Sequence, residues 1–123
     1  MYLQCTGEAE ICGAVRTAIE QALQKAGLPS IRNPERAEVI MKATVTVLDE
    51  RVNRQFGTTF VVRTYSVDVD AETARSSEAV PMPPPRTFSF DSQFGRERLT
   101  ENARVIAADA VGQLRAFWKK RGK

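Results

Sequence analysis

The chain has no histidine, two cysteines and 15 carboxylates, and that inventory narrows the chemistry open to it. Without histidine there is no Ser-His or Cys-His nucleophile system, and the commonest zinc ligand is missing. Asp68 and Asp70 have the spacing of two carboxylates on one side of a strand, a pattern that more often keeps a polar face soluble than performs acid-base work. Glu97, Glu101 and Asp109 fit a solvated helix face. Gly57 and Gly95 are isolated, so no glycine-rich phosphate loop is present. The expectation is a non-enzymatic protein with no catalytic residue, no metal and no cofactor.

Two other sets of residues carry more information. Cys5 and Cys12 stand seven positions apart, which is not the C-x-x-C spacing of a redox motif. Bonded to each other they would close an eight-residue loop, stabilise by roughly 2–3 kcal/mol and place the protein in an oxidising compartment. Two buried free thiols in a cytosolic core fit the spacing equally well. Arg51, Arg54 and Arg63 surround Gln55, Phe56 and Phe60. Arginine beside exposed rings suits phosphate-bearing ligands, whether nucleic acid or anionic lipid. The plainer alternative folds Phe56 back on its own hairpin and leaves the arginines as solvation. Arg51, Arg54, Phe56 and Arg63 are the candidate contact residues.

These residues are positioned by two runs of strand-like alternation, AEVIMKATVTVLDERV and TTFVVRTYSVDVD, expected to join through a polar turn over Asn53 to Gly57. Val39, Met41, Ala43, Val45 and Val47 share one face of the first run, and Val61, Tyr65, Val67 and Val69 one face of the second. Each run is apolar on one side, so an antiparallel hairpin laid on other elements follows. Thr44, Thr46, Thr64, Ser66 and Asp68 would form an open sheet face.

The flanks supply the cover. Ile11, Val15, Ala18, Ile19, Ala22, Leu23 and Ala26 make a helical stripe, with Thr6 as its expected cap and Gly27 as its end. Leu99, Ala103, Ile106, Ala107, Ala110, Leu114 and Phe117 make a second from about Ser92, widened by Val111 and Trp118. A short strand at Tyr2–Gln4 precedes the first helix. Pro29 and Pro34 bracket a connector, the prolines from Pro81 to Pro85 an extended surface loop, and RTFSFD a third long-sheet strand. The expected fold is one α+β domain over residues 1–123, of order (β)-α-β-β-β-α. Its two helices lie on one face of a three- or four-stranded, mainly antiparallel sheet.

The formal charge of +3, part of it in the final Lys119–Lys123 cluster, is a weak argument for nucleic acid or anionic membrane, because basic residues also complement a helix end. No apolar run reaches 18 residues, and MYLQCTGEAEICG has neither the basic nor the apolar region of a secretory signal. Gln4 also sits where a lipid-attachment site wants a small residue. The chain thus reads as a cytosolic protein or a mature exported domain without its leader.

The element order is shared by the double-stranded-RNA-binding domain, but Phe94-Gly95-Arg96-Glu97-Arg98-Leu99 lacks that domain's lysine-rich phosphate clamp. A helix ending near a glycine (QALQKAGLPSI), an acidic approach to a long strand (ERAEVIMKATVTVLDE), a long second strand and an alanine-rich last helix (ENARVIAADAVGQLRAF) form a different pattern over residues 8–118. It resembles the small α/β modules of bacterial cell-envelope proteins: the lipopolysaccharide-assembly lipoprotein LptE, the curli-secretion lipoprotein CsgG and the N-terminal domain of TolB. The resemblance implies a periplasmic or membrane-peripheral domain that binds a partner protein, lipid or glycolipid, and a Cys5–Cys12 disulfide fits that setting. The rival readings are a nucleic-acid module using the basic hairpin, and an interaction domain that forms homo-oligomers through a free sheet edge or the open face.

Overall fold

Both alternating runs pair into a single ribbon that is much longer than the common strand length. The structure, a computed structural model, describes residues 2–28, 39–91 and 95–122. Its elements are β1 (Tyr2–Thr6), α1 (Ala9–Lys25), β2 (Val39–Gln55), β3 (Thr58–Thr73), β4 (Ala79–Val80), β5 (Arg86–Asp91) and α2 (Arg96–Gly122). β2 and β3 are antiparallel from Val39 opposite Thr73 to Gln55 opposite Thr58. β1 runs parallel to β2, from Tyr2 beside Ile40 to Thr6 beside Thr44. On the far edge of β3, β5 covers Val62–Val67 and β4 covers Ala71 and Glu72. The sheet is therefore mixed and mainly antiparallel, and both helices pack on one of its faces. This is the expected α+β arrangement, with the two-residue β4 as an addition that its brevity hid.

The core forms where the stripes meet. Ile11, Val15, Ile19 and Leu23 of α1 are fully buried, as is Leu114 of α2, against Met41, Ala43, Tyr65 and Val67 of the ribbon. At about 1.5–3 kcal/mol for each large apolar side chain, this burial holds the helices to the sheet. α1 ends in a Schellman motif: Gly27 has φ +76, its N–H donates to the Gln24 carbonyl, and the Leu28 N–H donates to the Leu23 carbonyl at 2.8 Å. Asn102 is the polar exception inside α2. Its side-chain oxygen accepts from Arg86 Nε at 2.7 Å and its amide donates to the Arg98 carbonyl at 2.8 Å, so neither end is left unpaired.

Three local expectations are corrected. Thr6 does not cap α1: it belongs to β1, and Glu8 takes the N-cap position without a side-chain hydrogen bond. The turn at Gly7 separates them, for Gly7 has φ +129 and a Cβ there would lie 2.5 Å from the Val45 carbonyl oxygen. The hairpin turn is two residues, Phe56 and Gly57, not the stretch from Asn53, because both residues have positive φ and so match the twist of the strands. Val47 and Val61 lie on the expected face yet are exposed, since the helices do not reach them. The Pro29–Pro34 connector and a helix start at Ser92 lie outside the described residues; α2 is described from Arg96.

Cys5 and Cys12 are joined in a disulfide, with Cα atoms 5.7 Å apart, that ties β1 to the first turns of α1. Changing both to serine should lower unfolding free energy by about 2–3 kcal/mol and make the urea midpoint insensitive to reductant; a midpoint equal to that of the oxidised parent would contradict a stabilising link. The glycines give a paired test. Gly7→Ala, with a left-handed φ and a backbone clash, should cost about 1–3 kcal/mol, whereas Gly13→Ala, on an exposed helix face with open space around it, should gain about 0.5–1 kcal/mol. Equal effects of the two changes on the urea midpoint would refute this reading.

Candidate functional site

Beyond Val45 the ribbon leaves the body. Gly7 packs over Val45, Gly95 over Asp91, and Asp91 faces Val62, so both helices begin near the ribbon's midpoint. α2 then runs away from the turn: Ile106 and Asp109 lie beside Val67, Val69 and Pro85. A β-bulge between Val47 and Asp49 marks the departure, and bulges bend and re-aim a strand. Every residue from Thr46 to Arg54 and from Phe56 to Thr59 is exposed. Of the seven rows from Asp49–Thr64 to the turn, β5 flanks the first three as far as Val62, and the last four, about 13 Å at about 3.3 Å per residue, are two-stranded.

The candidate residues take different places on this finger. Phe56 sits at its end, fully exposed, with φ +52 in the left-handed region that a bulky side chain seldom occupies. Arg51 lies on the open face and donates to Asp49 at 3.0 Å. Arg63 lies on the helix-side face, directly opposite Glu50, and donates to it at 3.3 Å. Arg54 is opposite Thr59, one row from the turn. The three arginines thus do not converge on one point. Two carboxylates, Asp49 and Glu50, accompany two of them, leaving a formal excess of one positive charge.

Polar groups gather at the base of the finger, where, among the described residues, Glu8 Oε2 is buried without a hydrogen-bond partner. Tyr65 is buried between Phe88 and Phe90, each ring 6.2 Å away, and its hydroxyl is within electrostatic reach of Glu8 and Arg63. Burial raises the phenol's pKa above its ordinary value of about 10. Arg63 opposes that rise and the Glu8 carboxylate adds to it. Arg63 in turn is held more firmly charged, first by its hydrogen bond with Tyr65 and then by Glu50.

On the opposite sheet face Thr44 and Thr46 are exposed, and Thr64, Ser66 and Asp68 are half-buried under neighbouring side chains. The Thr64 and Ser89 hydroxyls share a 2.7 Å hydrogen bond. On the edge of β3 away from β2, β4 and β5 leave Asp68 to Asp70 unpaired, and residues from Met82 to Pro85 lie beside them. A shallow groove of about 540 Å³ there holds Asp68, Asp70 and Glu72 with Lys42. Lys42 stands opposite Asp70 in the ladder. Among the described residues no group of three metal-ligating side chains is assembled.

Sequence reasoning missed Leu48, Glu50, Val52 and the Glu8–Tyr65 contact. The signal for Glu50 and Val52 was the Phe56-Gly57 pair: once it is the turn, Glu50 must face Arg63 and Val52 must face Val61.

No family model matches the chain, and no curated protein matches it. Solved structures do align with it over most of its length. The chain is similar to a minor lipoprotein from Acinetobacter baumannii at 17% identity, over 98% of this chain and 94% of that one, with a TM-score of 0.47. It is similar to PelC from Paraburkholderia phytofirmans, described as a dodecamer, at 12% identity over 91% and 86%, TM-score 0.49. A lipoprotein from Neisseria meningitidis aligns at 11% identity over 94% and 98%, TM-score 0.48. Two of the three are described as lipoproteins and none as LptE, CsgG or TolB; no residue role is carried over from them.

The raised Tyr65 pKa has a signed consequence. Between about pH 10 and the folded value, the folded chain keeps a proton that the unfolded chain has lost, so stability present below pH 10 falls as pH rises through that window. Tyr65→Phe should flatten the fall, seen as a smaller change in urea midpoint between about pH 9 and pH 11. An identical fall in parent and variant would remove Tyr65 as its source.

Proposed function

We propose that this chain is a non-enzymatic binding or assembly module of the bacterial cell envelope, docking through its long hairpin onto a lipid, glycolipid or partner protein. The observation that carries the reading is Phe56: a fully exposed ring at positive φ, at the end of a ribbon that outruns its helices. Such a conformation costs on the order of 1–2 kcal/mol and gains no burial within the chain, so a contact outside it is the natural compensation. Arg51, Arg54 and Arg63 line the same finger and suit an anionic surface. The Cys5–Cys12 disulfide supports an oxidising, exported setting, periplasmic or outer-membrane-associated. Asp49 and Glu50, set against Arg51 and Arg63, weigh against a polyphosphate strand as the ligand.

Flotation with phosphatidylglycerol vesicles tests the lipid arm. Replacing Arg51 and Arg54 by alanine, or Phe56 by serine, should lower retention several-fold and leave the melting temperature of the exposed-tip variants nearly unchanged. Arg54→Ala alone should account for most of the arginine effect, because Arg51 is already paired with Asp49. Retention equal to the parent's in all variants would overturn docking of the finger on an anionic lipid surface.

A further inference from the structure

The outer edge of β2 is long and bare. β1 pairs only with Ile40–Thr44 and Gly7 covers Val45, so among the described residues nothing pairs with the edge from Thr46 to Gln55. An unpaired edge of this length is a template for another strand. Its side chains also read as their own complement. On the helix-side face, past the bulge, Glu50, Val52 and Arg54 follow one another as negative, apolar, positive.

We infer that a second copy of this chain docks on that edge, β2 against β2, antiparallel about a two-fold axis through Val52. The inference rests on the reading of the hairpin as the docking element and names what docks first. Residues whose numbers sum to 104 then face each other. Glu50 meets the partner's Arg54 and Arg54 the partner's Glu50, both on one face. The central row becomes Val61, Val52, the partner's Val52 and the partner's Val61, which brings together side chains that are 37% and 61% exposed in the single chain. Opposite charges and apolar pairs directly across an antiparallel ladder each stabilise it. Glu50 keeps Arg63 on its other side, so the acid lies between two guanidinium groups. The same register sets Phe56 level with the partner's Leu48, and both are exposed apolar side chains of the single chain. Shifting the axis to Glu50 would instead set Glu50 against its own copy, with like charges opposed. The two bodies lie at opposite ends of the four-stranded ribbon, and the partner's turn stops level with Val47, short of Gly7 over Val45.

The test is mass by light scattering over a concentration series, with charge-reversed chains. The parent should rise from 13.7 kDa toward twice that mass with concentration. Glu50→Arg and Arg54→Glu should each stay monomeric, because each sets like charges against themselves. Mixing the two should restore the dimer, since the first now carries two positive charges where the second carries two negative ones. A parent that stays at 13.7 kDa at every concentration, or a mixture that stays monomeric, would overturn the pairing. Vesicle flotation separates this from the broader reading. A monomeric parent that still loses vesicle retention on Phe56→Ser would remove the pairing and leave docking by the finger. A dimeric parent that ignores vesicles would support the pairing and remove the lipid arm.

Discussion

The packing of two helices against only half of a ribbon is the constraint on which the rest depends. α1, at about 1.5 Å per residue, is roughly 25 Å long, while β2 at about 3.3 Å per residue is roughly 55 Å. Both helices start near the midpoint and run away from the turn. One half of the ribbon is therefore a core wall, and the other half has no helix over it, with β5 alongside β3 only as far as Val62. The bulge between Val47 and Asp49 lies at the changeover, as do the polar groups of Glu8, Tyr65, Arg63 and Glu50.

This division gives each half a different energetic basis. The inner half is held by Ile11, Ile19, Met41, Tyr65 and Leu114, all buried against one another. The outer half has ladder hydrogen bonds, two exposed ion pairs and the Val52–Val61 cross-strand pair. Exposed ion pairs contribute little, and a lone two-stranded hairpin is marginal in water. Its persistence follows from continuity with the inner half and, in the proposed assembly, from an edge-to-edge neighbour. The same exposure that weakens the finger makes its groups available for contact, which links the packing to the proposed envelope role.

Most of the fold was legible because its signals are periodic. The Ile11–Leu23 stripe, the Leu99–Leu114 stripe and the alternation from Val39 to Val45 each repeat a period that only one structure satisfies. What was not legible depended on register. Val47 and Val61 share the apolar face in the sequence, and only the register, with Val47 opposite Tyr65 and Val61 opposite Val52, shows that they lie past the helices. Phe56 in a left-handed turn runs against the preference for Asn or Gly there, so the turn was expected to begin at Asn53. The arginines were recognised as a group; that Arg51 and Arg63 occupy opposite faces, each beside a carboxylate, emerges only from the bulge and the ladder.

Amide hydrogen exchange along β2 and β3, in dilute solution where the single chain prevails, reads the division of the ribbon residue by residue. Protection close to the global unfolding limit is expected for Met41–Val45 and Tyr65–Val69, with a sharp fall across the bulge and Asp49–Arg54 exchanging far faster. Uniform protection from the body to the turn would contradict a ribbon of which only half is roofed.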